Sequence, residues 1–402
     1  MNLDLINEYT RQVLAFDWKN KQSETAESDT PDQETLNRHA SRAARLVEKR
    51  GASALVLFGL GSGCLANRLA QTLPEEMPII VCELLPQRVR EVHDSMLLDT
   101  RVTVLTDTSA WAHLLLLAQC GITTENAVLI LNPEPDQVER TRYQAMQRAF
   151  SAARSHLALN SSLLSHVSVQ APDLSVGAIL SPDEPNLDDY FAQFPDWVRE
   201  IVVIWDAEQI PDREFSCAAP IRHLAHPLDD FASQRNRMLD ECAGEWVLYL
   251  DGDECFSPDA WDLLTALLLV KRLQACYFPR MTLYPDETRT KVGYGLWPDL
   301  QLRLFRNAPG IRFERPVHER LTNVTGRTAI AVDAPILHYS RIRKSPEQLA
   351  AKLSRFDQAG GNSVHHVLNP DYPSLKRASL AEASFISGAL QLLLLEENPS
   401  GV

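Results

Sequence analysis

Short runs of Val, Leu and Ile recur along this chain, each separated from the next by an amphipathic stretch of helical length. In the first half they are SALVLFGL from Ser53, MPIIVCEL from Met77, RVTVLTD from Arg101 and NAVLILN from Asn126. Their cores are continuously apolar instead of alternating, which marks strands buried on both faces. Strands alternating with helices read as βαβ units around a parallel sheet. The texture returns with LSVGAIL from Leu174, EIVVIWD from Glu200 and EWVLYLDGDE from Glu245. YFPRMTLY from Tyr277, LQLRLFRN from Leu300 and the run ending at His338 predict a more mixed, partly antiparallel region. The expected fold class is therefore α/β, with a Rossmann-like N-terminal domain, a second mixed-sheet domain and flanking helices.

That texture places the boundaries. Residues 1–50 form an N-terminal helical segment interrupted by a polar loop over 20–33, and residues 51–140 form the first α/β domain. A connecting helix fills 141–171, the second domain spans 172–344, and helices are expected over 345–402. The apolar run at 386–395 is read as one buried helix face. At 402 residues, two ordinary domains fit. The net charge of −14 argues against a nucleic-acid partner, which calls for a basic face. The opening MNLDLINEYTRQVLAFDW carries no basic and apolar leader, and no run is long enough to span a bilayer. Peripheral membrane association stays open. Seven scattered cysteines without a C-x-x-C pair read as reduced, mostly buried thiols in a cytoplasmic chain.

Gly59-Leu60-Gly61-Ser62-Gly63 lies between a strand and a helix, where glycines permit a tight turn and let backbone amides approach a ligand. Glu83 ends the next strand, where an acid could take a ribose hydroxyl, and Asp107 ends the third in a comparable position. The segment resembles the G-x-G-x-G class of S-adenosylmethionine-dependent methyltransferases and the Rossmann-like domains of bacterial motility accessory proteins. The resemblance implies S-adenosylmethionine as a ligand at Gly59, Gly61, Gly63, Glu83 and Asp107. Two departures stand against methyl transfer: Leu57 occupies the position where that class carries an acid, and Asn132-Pro133-Glu134-Pro135 lacks the aromatic of an N-P-P-aromatic motif. A purely structural strand–helix turn is the alternative.

The second domain carries the stronger signal. Five apolar residues, 246–250, deliver Asp251, Asp253 and Glu254 at a strand's carboxyl end, where open α/β sheets bind ligands. Acids this close repel one another, and a divalent cation on a diphosphate would relieve the repulsion. Upstream, LSVGAILSPDEPNLDDYFAQFPDWVREIVVIWDAE and DDFASQRNRMLDECAGEWVLYLDGDE resemble the opening and the D-x-D segment of family 2 glycosyltransferases of the GT-A fold. Downstream, GLWPDLQLRLFRNAPGIRFERPVHERL and ILHYSRIRKSPEQLAAKLSRF are similar to the branch holding the lipopolysaccharide-core β-glucosyltransferases.

The resemblance spans roughly residues 172–356. It implies inverting transfer of a sugar from a nucleoside-diphosphate donor to a hydroxyl of a glycan or protein, with Mn²⁺ or Mg²⁺. Ser181, Glu184, Asp206, Arg235 and Asp251 would meet the nucleotide sugar, and Asp253 and His338 the metal. Glu319 would be the general base; pairing with Arg315 or Arg320 is its alternative. His338 could equally be a satisfied core histidine. Trp297 and Arg303 are assigned to the donor or acceptor cleft, although LQLRLFRN alternates like an ordinary half-exposed strand. Gly293-Tyr294-Gly295 reads as a loop able to close over the donor. A bifunctional transferase–methyltransferase and a non-catalytic nucleotide- or glycan-binding protein are the rival readings.

Overall fold

The computed structural model describes residues 3–16, 32–160, 171–315, 319–345, 347, 349, 371–382 and 389–395. The first sheet holds β1 (Ala54–Phe58), β2 (Ile79–Glu83), β3 (Val102–Thr106) and β4 (Ala127–Leu131) in the order β3-β2-β1-β4. Every pairing in it is parallel. Both β1 and β2 are buried along their whole length, which is why their sequences run apolar without alternation. Helices at Cys64–Thr72, Pro86–Ser95 and Ala110–Gln119 make the crossovers. This is the predicted Rossmann-like module.

The second sheet has eleven strands. In chain order the strands of this half are β5 (Arg154–Asn160), β6 (Leu174–Leu180), β7 (Glu200–Trp205), β8 (Ile221–Ala225), β9 (Trp246–Tyr249), β10 (Glu254–Cys255), β11 (Leu273–Thr282), β12 (Arg289–Lys291), β13 (Leu300–Arg306), β14 (Arg312–Glu314), β15 (Arg320–Thr322), β16 (Arg327–Ala331), β17 (Ile336–His338), β18 (Ser374–Lys376) and β19 (Ala389–Leu395). The main path runs β5-β19-β16-β11-β13-β9-β6-β7-β8, with β10 and β17 attached beside it. Strands β9, β6, β7 and β8 are mutually parallel, whereas β13 runs antiparallel to both β9 and β11. Two small antiparallel pairs, β12–β18 and β14–β15, complete it.

Two expectations are corrected here. The connecting helix covers only Gln137–Ala152; Ala153 turns extended and β5 follows. Of the run expected to be a helix at 386–395, the described part is instead β19, Ala389–Leu395, clamped antiparallel between β16 and β5. A short apolar run fits a buried strand or a buried helix equally well, and here the open edge of β16 decides. Chain from outside the predicted 172–344 domain on both sides therefore builds its sheet. Residues 17–31, which include most of the predicted polar loop, lie outside the described residues, as do most of the C-terminal positions expected to be helical.

The two modules share apolar packing. The helix Asp4–Ala15 lays Ile6, Tyr9 and Val13 into a cluster that includes Val56, Phe58, Tyr277, Val292, Tyr294 and Trp297. Among the described residues no helix is long and apolar enough to cross a membrane. All seven cysteines are unpaired.

Candidate functional site: an acidic turn held by fixed cations

Three adjacent parallel strands open at one end of the second sheet. Ser181 and Glu184 follow β6, Asp206 follows β7, and Asp251 and Asp253 follow β9, so the family-implied residues gather where α/β sheets bind ligands. Asp251 begins a turn closed by the Glu254 amide donating to the Asp251 carbonyl at 2.9 Å. Gly252 packs closely there: a Cβ would lie 2.9 Å from Cγ of Glu184 and 3.0 Å from Cδ2 of Leu180. After the turn β10 pairs with β17, setting Glu254 opposite His338, and the Tyr339 amide donates to the Asp253 carbonyl at 2.8 Å.

Each carboxylate meets a cation. Asp251 accepts from Nη2 of Arg235 and from Nη2 of Arg303, both at 2.7 Å. Burial opposes its charge, and the two guanidiniums overcome that cost, holding the carboxyl well below the usual range. Both guanidiniums also lie over the Tyr249 ring, each 4.6 Å from its centroid. Glu254 has no exposed side-chain surface and takes Arg303 at 2.6 Å and Arg280 at 3.0 Å. Asp253 accepts from Nζ of Lys344 at 2.9 Å, and Nε2 of His338 lies 3.5 Å away. Lys344 also reaches Glu184 at 2.5 Å.

Glu319 joins the cluster through Arg235, whose Nε donates to it at 2.6 Å. The alternative pairing with Arg315 or Arg320 is not what forms. The helix Phe231–Glu241 carries Arg235, and its Asn236 exchanges two hydrogen bonds with the Phe313 backbone at 2.8 and 2.9 Å. That contact anchors the β14–β15 pair beside which Glu319 sits. Ser181 accepts the Asp183 amide at 3.3 Å, and Asp206 accepts the Leu228 amide at 2.8 Å.

Arg303 belongs to the cluster as a buried bridge between Asp251 and Glu254. Trp297 does not line a cleft: it is 1% exposed, with its ring 6.1 Å from that of Tyr9. Gly293-Tyr294-Gly295 is likewise pinned between the modules. The Gly293 amide donates to Tyr9 Oη at 3.1 Å, the Gly295 amide to Asp107 at 2.9 Å, and Tyr294 Oη to the Phe16 carbonyl at 2.6 Å. Arg280 and Lys344 are the members that sequence reasoning missed. The only signal for Lys344 was its place in the basic stretch following His338.

The arrangement does not fit a divalent cation as it stands. Asp253 and His338 supply two donors, and an ammonium already sits on Asp253. Among the described residues no group of three or more His, Cys, Asp or Glu side chains could hold a metal ion. A cavity of about 240 Å³, lined by Tyr277, Leu302, Glu314, Arg315 and Arg320 among others, includes none of Asp251, Asp253 or His338.

The first module's glycine turn is filled by the protein itself. Gly59, Gly61 and Gly63 adopt φ of 89°, 57° and 83°, as the predicted turn requires. The Leu60 amide, however, donates to Glu83 at 2.8 Å and the Ser62 amide to Glu134 at 2.6 Å. A Cβ on Gly61 would meet the Glu134 carboxylate at 2.6 Å. Glu83 is fully buried, also accepting from the Leu85 amide and from Tyr143 Oη, and burial raises its pKa. Asp107 takes the Tyr9 hydroxyl at 2.5 Å. In this arrangement the Leu60 amide and Glu83 are committed to each other, the Ser62 amide to Glu134, and Asp107 to Tyr9 and the Gly295 amide.

The architecture is thus a Rossmann-like module packed on a mixed-sheet α/β domain with a charged turn at its strand ends. No family model matches the chain. A TPR repeat-containing protein of Synechococcus elongatus is 34% identical over 131 residues, covering 32% of this chain and 30% of that protein. The chain therefore matches under a third of that relative's length. Among solved structures, S. aureus TarS aligns with a TM-score of 0.29 at 14% identity, covering 46% of this chain and 39% of that one. TarS 1–349 in complex with UDP-GlcNAc aligns with a TM-score of 0.26 at 15% identity, covering 53% and 70%. At these scores neither structure transfers a role to this chain.

Proposed function

We propose that the chain is a glycosyltransferase, moving a sugar from a nucleoside-diphosphate donor to a hydroxyl of a glycan or protein acceptor. One observation carries the reading. Ser181, Glu184, Asp206 and Asp251, which the family resemblance assigns to the donor, follow the adjacent strands β6, β7 and β9, and Arg235, assigned with them, ties Asp251 to the assigned base, Glu319. The acceptor hydroxyl attacks the anomeric carbon on the face opposite the diphosphate. A new carbon–oxygen bond forms as the bond to the diphosphate breaks, and Glu319 takes the hydroxyl proton. Glu319 gives one oxygen to Arg235, which leaves the other to orient the acceptor. Guanidiniums fixed before the reaction are suited to charge developing on a leaving diphosphate.

The test is a thermal-shift screen of UDP-, GDP- and TDP-sugars, followed by a transfer assay with the donor that binds. Glu319→Gln is expected to lower kcat by roughly 10²- to 10⁴-fold while preserving the donor-induced shift in Tm. If no nucleotide sugar raises Tm, the reading falls.

A further inference from the structure

We infer that Lys344 is the resident cation of the donor site, a tethered ammonium that meets the donor's diphosphate in place of a divalent metal ion. The inference rests on the glycosyltransferase reading above. Its ground is the position of Nζ, 2.9 Å from Asp253 and 2.5 Å from Glu184. The two carboxylates come from the ends of β9 and β6, the pair of strands between which a donor diphosphate would have to be neutralised. An ion shared by two carboxylates at the tip of this sheet is what a D-x-D turn is expected to hold, and here the chain supplies it.

Three features make this a built position, not a surface encounter. Lys344 and Asp253 expose only 7% and 4% of their side chains. Lys344 directly follows the short helix Ser340–Arg343, which begins after the Tyr339 amide has bonded to the Asp253 carbonyl, so the turn and the lysine are placed by one contact. His338 adds a second constraint: its Nδ1 lies 3.0 Å from the Thr282 hydroxyl, leaving Nε2 to face Asp253. With the hydroxyl donating to Nδ1, Nε2 carries the proton and orients the carboxylate toward the lysine. The histidine is then a positioning residue.

An ammonium has three N–H donors, and the two carboxylates use two of them. The third is the donor that a phosphate oxygen would take in this reading. A divalent ion at Asp253 would instead have to expel the ammonium or sit beside it, and like charges at that range repel. The same chemistry extends along the turn, where Arg235 and Arg303 offset the charge of Asp251.

Isothermal titration of the full chain with UDP, GDP and dTDP, once in EDTA and once in excess Mn²⁺, tests the inference without any turnover. The best-bound diphosphate is expected to show affinities within about twofold in the two buffers. Lys344→Met should weaken it by at least about tenfold, a loss that Mn²⁺ does not restore, and Lys344→Arg should retain most of the affinity. Binding that requires Mn²⁺ in the parent chain would overturn the inference and leave the glycosyltransferase reading standing, a comparison that holds even if Lys344→Met fails to fold. Binding of none of the three diphosphates in either buffer would bring down the donor-site reading together with the inference.

Discussion

Asp251 keeps its charge because two guanidiniums outweigh the cost of burying it, and this has a defined pH signature. Its folded pKa is depressed, so the unfolded chain binds more protons as the solution becomes acidic. The stabilisation is present above the unfolded value of about 3.9 and is lost as pH falls below it. Asp251→Asn should lower the urea midpoint at pH 7 and flatten the loss of stability between about pH 5 and 3, as followed by fluorescence. Glu254 is the more severe case, since no part of its side chain reaches water and both Arg280 and Arg303 depend on it. Glu254→Gln should lower the urea midpoint, because Arg280 and Arg303 each lose one of two carboxylate partners and keep only Asp299 and Asp251 respectively. The acids were legible in the sequence as a D-x-D turn after an apolar strand. Their pairings were not: Arg280 and Lys344 are far from the turn in the chain, and Arg303, assigned to a cleft, lies on an alternating strand that does not say which face meets a carboxylate.

Strand β19 shows how an element can take its identity from its neighbours. Its sequence is almost wholly apolar and would serve as a buried helix, yet β16 and β5 offer unpaired backbone on both sides. Leu392 is 1% exposed in the core of the second sheet. Leu392→Ala should therefore cost about 2–5 kcal/mol in urea unfolding, and a near-neutral result would refute the strand's packing. The glycine turn of the first module was recognisable from its strand–helix setting, but the sequence did not reveal that Glu134 would close it. Gly61→Ala forces a Cβ against that carboxylate at φ +57° and should destabilise the module by about 1–3 kcal/mol, seen as a lower Tm.

The two modules form one packed body through the helix Asp4–Ala15 and the loop at Gly293, Tyr294 and Gly295. Tyr9 is the joint: it donates to Asp107 of the first module and accepts from Gly293 of the second. Tyr9→Phe removes both contacts while keeping the ring, and should cost about 1–3 kcal/mol because buried polar groups lose their partner. Calorimetry of the parent chain should show a single transition in which both modules unfold together; two resolved transitions would contradict the shared core.

Periodicity settles early what this chain is made of. Continuous apolar runs between amphipathic ones leave parallel sheets as the way to bury both faces, and acids directly after an apolar run mark a strand's carboxyl end. Those are local properties, carried by residues adjacent in the chain. Which cation sits on which acid, which strand closes the sheet and whether a glycine turn stays open depend on groups brought together from distant segments. Charge and backbone pairing act through space, so the assembled tertiary structure alone could place Lys344 on Asp253 and β19 beside β16.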